Sequence, residues 1–338
     1  MFCFSSFRQR MIATVLLVAA ALAAGPSGAA AQEKPIDVNL AVSSTSFVLG
    51  GVRIAQQEDL FAKHGVTLNV SVMDSGNTAI DALISNSVQF AVAGPPDVLV
   101  ARSRKLDVVI AANLYRGAAG SVVLSKAAVQ RIGVKPDAPL PDRLRALKGL
   151  TIAVPSATST QTTPIRAAAK AAGIPLSFTY MPQPAMVAAL AAGAIDGMMA
   201  SSPFSGQPIL QGTGVLWING PGGGFSPDAT PASSSCLNTT GRYAQSHADV
   251  VRRMQAVLAD VATFIKQNPD QAKRDLAKGY PKVDQKSIDL IFSQEAQNWT
   301  QPVLTVADIE HEIVLLPNSS SIPDIGKMDP ASALVMKP

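Results

Sequence analysis

Val38-Asn39-Leu40-Ala41-Val42, the run Val66 to Met73 and Gln89-Phe90-Ala91-Val92-Ala93 are three short β-rich stretches separated by two stretches of helical spacing. The middle one is apolar at Val66, Leu68, Val70 and Val72, an alternation with the period of a strand. Between the first two, Gly50 to His64 predicts a helix with Leu60 and Phe61 on its apolar side and Gly65 as its stop. Between the second and third, a helix is expected over Thr78 to Ser85, just after a Ser75-Gly76-Asn77 turn. Strand, helix, strand, helix, strand is the order of a parallel sheet covered by helices, an α/β architecture.

The same order returns in the second half of the sequence, and the residues themselves line up. Leu40-Ala41-Val42 followed by Ser43-Ser44-Thr45 is echoed by Ile152-Ala153-Val154 followed by Pro155-Ser156-Ala157-Thr158. His64-Gly65-Val66 is echoed by Ala172-Gly173-Ile174, each leading into a strand, the second ending at Tyr180. Val88 to Pro96 is echoed by Ile195 to Pro203. Three matches in register indicate duplication of a lobe, because the period is too long for a solenoid. Val108 to Leu114 reads as a strand running into Tyr115-Arg116, and Ser121 to Ser125 starts another. After the second lobe, Val215 to Ile218 enters a Gly- and Pro-rich loop, Asn219 to Pro231, before a strand around Ser235-Cys236-Leu237. The chain therefore crosses between lobes twice. The remainder, Gln245 to Val314, is mainly helical, with Val250 to Gln267 strongly periodic and Asn268-Pro269-Asp270 as stop and restart. Those helices are expected to pack back on the first lobe.

The start of the chain has the three parts of a secretory signal: Arg8 and Arg10, an uncharged apolar run from Met11 to Ala24, and small residues Ala29-Ala30-Ala31 before Gln32. The apolar run is shorter than the ~20 residues a membrane span requires. Without Arg8 and Arg10 the 28 basic residues become 26 against 24 acidic ones, a net charge of +2. The basic residues are scattered, with no aromatic residues interleaved for base stacking, so nucleic acid is not an expected partner. Cys236 is then the sole cysteine, which excludes an intramolecular disulfide and reads as a buried structural thiol.

Open α/β sheets bind ligands beyond the carboxyl ends of their strands. Four such loops are dominated by small hydroxyl residues, Gly and Pro: Ser43 to Ser46, Asp74 to Asn77, Ser156 to Thr160, and Ser201 to Phe204. Those at Ser43, Ser75 and Ser156 run into expected helix N-termini, whose free N–H groups attract an anionic or carbonyl oxygen. Each Ser or Thr is also an ordinary helix cap, but enrichment at matching positions of both lobes favours a shared ligand cleft. Phe47, Tyr115 and Phe204 sit beside these loops, where they would either sandwich an aromatic part of a ligand or fill the core. Arg116 is the one cation at an expected strand end facing the cleft, either suited to a carboxylate or sulfonate or a surface arginine at a crossing. Asp74 and Asp97 either cap helices or accept an amine from a ligand, and capping is the preferred reading. His64, His247 and His311 have no ligand-like spacing, and no nucleophile elbow, P-loop or dinucleotide fingerprint is present, so neither a metal, a cofactor nor an enzymatic activity is expected.

The run from Ile54 through Asp59-Leu60-Phe61-Ala62-Lys63-His64-Gly65-Val66, then Asp74-Ser75-Gly76-Asn77, then Val88 to Pro96, resembles the periplasmic solute-binding proteins of nitrate, sulfonate and taurine type ABC importers. So do Leu147 to Val154, Ala192-Gly193-Ala194-Ile195-Asp196-Gly197, and the helical tail. The resemblance implies the two-lobed periplasmic binding protein fold of type II. Each lobe is then a mainly parallel sheet flanked by helices, with hinges near Leu114 to Ala118 and Trp217 to Gly220. Residues 1–31 would be the signal, 32–116 and 226–338 the first lobe, and 117–225 the second. Carried over position by position, the implied ligand contacts are Ser44, Thr45 and Phe47, then Ser75, Gly76 and Asn77, then Gly94 and Pro95, the loop Ser156, Thr158, Ser159 and Thr160, and Ser202. Arg116 and Phe204 join them from the reading of the residues. The implied activity is capture of a small anionic or aromatic organic solute in the periplasm by a monomer that delivers it to an ABC permease. A periplasmic sensor and, on the same architecture, a pyrimidine-precursor enzyme are the alternatives. The sequence departs from relatives at Gln207-Pro208, which interrupts the helix expected after Ser202, and at Gly222 to Gly224, which enlarges the return crossing.

Overall fold

The alternation read in the sequence places the strands in two five-stranded sheets. The first has the order β2-β1-β3-β10-β4, where β1 is Ile36–Val42, β2 Val66–Val72, β3 Phe90–Ala93, β4 Val109–Arg116 and β10 Ser233–Thr239. β1 runs parallel to β2 and β3, and β10 lies antiparallel between β3 and β4. The second has the order β7-β6-β8-β5-β9, where β5 is Gly120–Ser125, β6 Thr151–Val154, β7 Ser177–Tyr180, β8 Gly197–Ser201 and β9 Gly214–Ile218. Here β6 is parallel to β7 and β8, and β5 is antiparallel to β8 and β9. In each sheet, the antiparallel strand in fourth place is the one that arrives from the other sheet. The computed structural model describes residues 34–42, 45–73, 75–157, 159–316, 322 and 325–335. The expected signal, Ser43, Ser44, Asp74 and Thr158 lie outside the described residues. No described helix is long and apolar enough to cross a membrane.

The strand period of two sorts side chains to the two faces of each sheet. In β1, Val38, Leu40 and Val42 enter one core and Ala41 the other; in β6, Ile152 and Val154 enter one and Ala153 the other. The repeat seen in the sequence is thus a repeat of burial. Helix Ala248–Gln267 buries Val250, Val251, Met254, Val257, Leu258, Val261 and Ile265 in the same core as Phe90, Val92 and Ala112 of the first sheet, so the tail packs back there. Cys236 is a free, buried thiol whose pKa burial pushes up, leaving it without a reactive thiolate.

Two helices depart from the sequence reading. The expected helix from Gly50 to His64 is two, Gly50–Gln57 and Leu60–Lys63, broken at Asp59, whose φ of 53° is left-handed. Asp tolerates that conformation better than most residues, and the break keeps Leu60 and Phe61 in one core with Ile54. After Ser156 the helix begins only at Thr162. The Ser156 hydroxyl accepts from Ser159 N (3.1 Å), the Ser159 hydroxyl accepts from Gln161 N (3.2 Å), and Thr162 Oγ1 donates to Ser156 O (2.6 Å). These local bonds hold the segment as turns instead of a first helical turn.

The two crossings, from β4 to β5 and from β9 to β10, are tied together. Ser234 Oγ donates to Gly117 O (2.6 Å) and accepts from Ala119 N (2.8 Å), and Gly117 N donates to Ala232 O (3.1 Å). A Cβ on Gly220 would lie 1.9 Å from Gly120 O, so only glycine admits this approach. Helix Val306–Leu315 anchors both crossings: Arg116 Nη2 donates to Asp308 at 2.7 Å, and Glu312 Oε1 accepts from Ser233 N at 3.0 Å.

Candidate functional site

The loops at the carboxyl ends of both parallel strand sets face a shared cleft of about 520 Å³. From the first sheet come Thr45 after β1, Ser75, Gly76 and Asn77 after β2, and Gly94 and Asp97 after β3. From the second come Ser156, Ser159, Thr160 and Gln161 after β6, Tyr180 at the end of β7 with Pro182 and Gln183 after it, and Phe204 after β8. Ser234 and Ser235, in the crossing strand β10, complete the lining. The volume is in the range of small-molecule sites.

Local chemistry fixes most of these groups. Ser75 is extended and its hydroxyl accepts from Thr78 N at 3.2 Å, capping helix Gly76–Ile84. The Gln183 side-chain oxygen accepts from Ser201 N at 2.8 Å and from the Ser201 hydroxyl at 3.0 Å, joining the loops after β7 and β8. Thr160 Oγ1 donates to Ser234 O at 3.1 Å, and a Cβ on Gly94 would stand 2.3 Å from Thr160 Cγ2. The two sides of the cleft therefore touch at Gly94 and Thr160.

The structure brings together Thr45, Ser75, Gly76, Asn77, Gly94, Ser156, Ser159, Thr160 and Phe204. Four other candidates lie elsewhere, three of them for a contact distant in sequence and Pro95 as the start of a helix. The Phe47 ring is buried and stacked on Tyr280, centroids 4.0 Å apart, and its carbonyl accepts from Trp299 Nε1 at 3.0 Å. Pro95 is buried as the first residue of helix Pro95–Ser103. Ser202 O accepts from Phe47 N at 3.0 Å, and its hydroxyl bonds the buried Glu295. Arg116 is paired with Asp308 and does not line the cleft. Tyr115, weighed as a ring beside the loops, is fully buried and donates through its hydroxyl to Glu295 Oε2 at 3.1 Å.

The sequence reading missed Gln161, Tyr180, Gln183 and Ser234 as lining residues, and for Asp97 it preferred a capping role over acceptance of a ligand amine. Tyr180 and Gln183 follow a strand's carboxyl end, so the rule that found the other loops could have found them. Asp97 does cap: Oδ2 accepts from Gly94 N at 3.3 Å. Its carboxyl also lines the cleft, where burial pushes its pKa up to about 7 against the lowering effect of the Gly94 amide. Among the described residues no lining side chain is Lys, Arg or His, and no cluster of His, Cys, Asp and Glu could hold a metal ion.

Comparison with known proteins agrees with this geometry. The NMT1-like family model matches residues 34–279. Proteins of Brucella abortus and Brucella melitensis, described no further than as binding proteins, are 27% identical over 281 residues, covering 82% of this chain and 81% of theirs. The alkanesulfonate-binding protein SsuA of Xanthomonas axonopodis pv. citri, bound to MOPS, superposes with a TM-score of 0.66 at 17% identity, covering 84% of this chain and 96% of that one. The periplasmic nitrate-binding protein NrtA of Synechocystis PCC 6803 gives 0.63 at 17% identity, covering 89% of each chain. At such identities the likeness is one of fold, that of the periplasmic binding proteins.

Proposed function

The chain belongs to the NMT1-like family, and on that premise we propose that it is an extracytoplasmic solute-binding protein. It captures a small organic solute between its two sheets, releases it unchanged, and delivers it to an ABC-type import permease. The observation that carries this reading is the cleft itself, lined from both sheets by the loops after their parallel strands and spanned by only two crossings. A solute that touches both walls gains contacts available only when they are close, which favours the closed arrangement by its differential affinity. The residues before Gln32 have the form of an export signal, consistent with work outside the cytoplasm.

Thermal unfolding of the protein, refolded from denaturant to strip bound solute, against sulfonates, nitrate, carboxylates, amines and N-heterocycles tests the reading. A solute at 1,000 times its Kd adds about 4.1 kcal/mol, a shift of several degrees for a chain this size. Ser156→Tyr, which fills the cleft, is expected to abolish the response, and Ser75→Ala to reduce it, the latter also lowering the unliganded stability by about 1 kcal/mol through the lost helix cap. A response that survives Ser156→Tyr would place binding elsewhere. Loss of uptake of the same solute in a strain lacking the gene checks delivery; undiminished uptake would argue for a sensor.

A further inference from the structure

Among the described residues the cleft has one acid facing it and no base. Two cations near its walls have partners within the protein. Arg116 is held by Asp308 at 2.7 Å, and Arg166 donates to Ala157 O at 2.7 Å, bonds the Tyr180 side chain, and has its guanidinium 5.7 Å from the centre of the Phe178 ring. The acid, Asp97, is under-used by the described residues: its hydrogen bond from Gly94 N is long, 3.3 Å, and none of them is its charged partner. Space has been kept for it, since a Cβ on Gly76 would lie 2.3 Å from its Oδ2. The carboxyl therefore sits beside the start of helix Gly76–Ile84, where an incoming anion would otherwise find free N–H groups. An anion there would have to displace or neutralise the protein's own carboxylate.

Resting on the reading of the cleft as a solute site, we infer that Asp97 is its charge-recognition group. The solute presents to it a cationic nitrogen or paired N–H donors, as an amine, an amidinium or a protonated N-heterocycle does, and not a sulfonate, nitrate or carboxylate. The rest of the lining suits the body of such a molecule. Tyr180 and Phe204 offer rings, Pro155 and Pro182 offer apolar faces, and Asn77 and Gln161 can meet further polar atoms. Charge pairing in a cleft that shields Asp97 from water is stronger than at an open surface.

The test is calorimetric titration of the refolded full chain with benzamidinium and benzylammonium, against benzoate, benzenesulfonate and nitrate, in wild type and Asp97→Asn. The cationic probes are expected to bind wild type and to weaken at least tenfold in Asp97→Asn, while Asp97→Glu retains part of the affinity. In wild type the affinity for benzamidinium, whose charge is constant in this range, should rise about tenfold from pH 6 to pH 8 as Asp97 ionises. Among the described residues Tyr180 is the other titratable side chain lining the cleft, with Arg166 bonded to it, and burial and the Gly94 amide are the causes that act on Asp97. This profile needs no variant, so it decides the matter even if Asp97→Asn unfolds. Cationic probes that bind equally well to Asp97→Asn, or with a flat pH profile, would overturn the assignment. An anionic probe that binds wild type and binds Asp97→Asn as tightly or tighter would overturn it while leaving the solute-binding reading in place. Silence of every probe, anionic and cationic, would count against both.

Discussion

Arg116 and Asp97 show how far a residue's type can mislead about its role. A lone arginine at a strand end invites an anion, and a lone aspartate one turn into a helix reads as a cap. The structure gives the arginine a carboxylate from a helix 192 residues away in sequence, and gives the aspartate a place on the wall of the cleft. Arg116→Ala is expected to leave solute affinity within about twofold. It should lower stability by about 1–2 kcal/mol in urea denaturation, because Asp308, only 13% exposed, loses its charged donor. A large loss of affinity with unchanged stability would return Arg116 to the cleft. The pairing was not legible in the sequence, since nothing local to Arg116 names its partner.

At the scale of elements, the strands and the lobe repeat were legible because β2 alternates with period two and β1, β3 and β6 are short apolar runs, buried on both faces, that recur in the same order. The left-handed break at Asp59 and the turns between Ser156 and Thr162 were not, because both are decided by backbone conformations that Asp, Ser and Thr permit but do not demand. The loops of the cleft followed from the strand ends; the displacement of Phe47 and Ser202 into contact between the two sheets followed from tertiary packing alone. The crossings are the elements most exposed to a single added carbon. Gly220→Ala would place a Cβ against the backbone oxygen of Gly120, which cannot yield without separating the crossings, and a loss of about 1–3 kcal/mol is expected. Gly206, with open space around its Cβ position and no left-handed φ, is the matched control, and Gly206→Ala should be neutral within error. Equal midpoints for the two variants would show that the close approach at Gly220 constrains nothing.

For the whole molecule, the buried acids set the direction of the stability profile. Burial raises the pKa of Glu295 to about 7, against the hydroxyls of Ser202 and Tyr115, and that of Glu312 to about 8, against the amides of Ser233 and Ala232 and the charge of Arg116. Asp308 adds to the rise at Glu312, and Asp97 is displaced in the same direction. Each group is more protonated folded than unfolded, so its contribution is complete below about 4.5 and is lost as pH rises through 7 to 8. Asp196 and Asp308 act oppositely. Burial raises both, but Arg131 with the Thr151 amide, and Arg116 with the amide and hydroxyl of Thr305, together outweigh it, so their contributions are present above the usual carboxylate range and fade only in acid. The protein should therefore be most stable on the acid side of neutrality, with a thermal midpoint several degrees lower at pH 8.5 than at pH 6. Glu295→Gln keeps an acceptor for Tyr115 and removes the ionisation, so it should flatten that decline without lowering the midpoint at pH 6 by a comparable amount. Because Glu295 also holds Ser202 across the boundary between the sheets, its ionisation bears on their approach as well as on folding. A midpoint that rises from pH 6 to 8.5, or a decline unchanged in Glu295→Gln, would show that this carboxyl is ionised in the folded protein at neutral pH and that another group governs the profile.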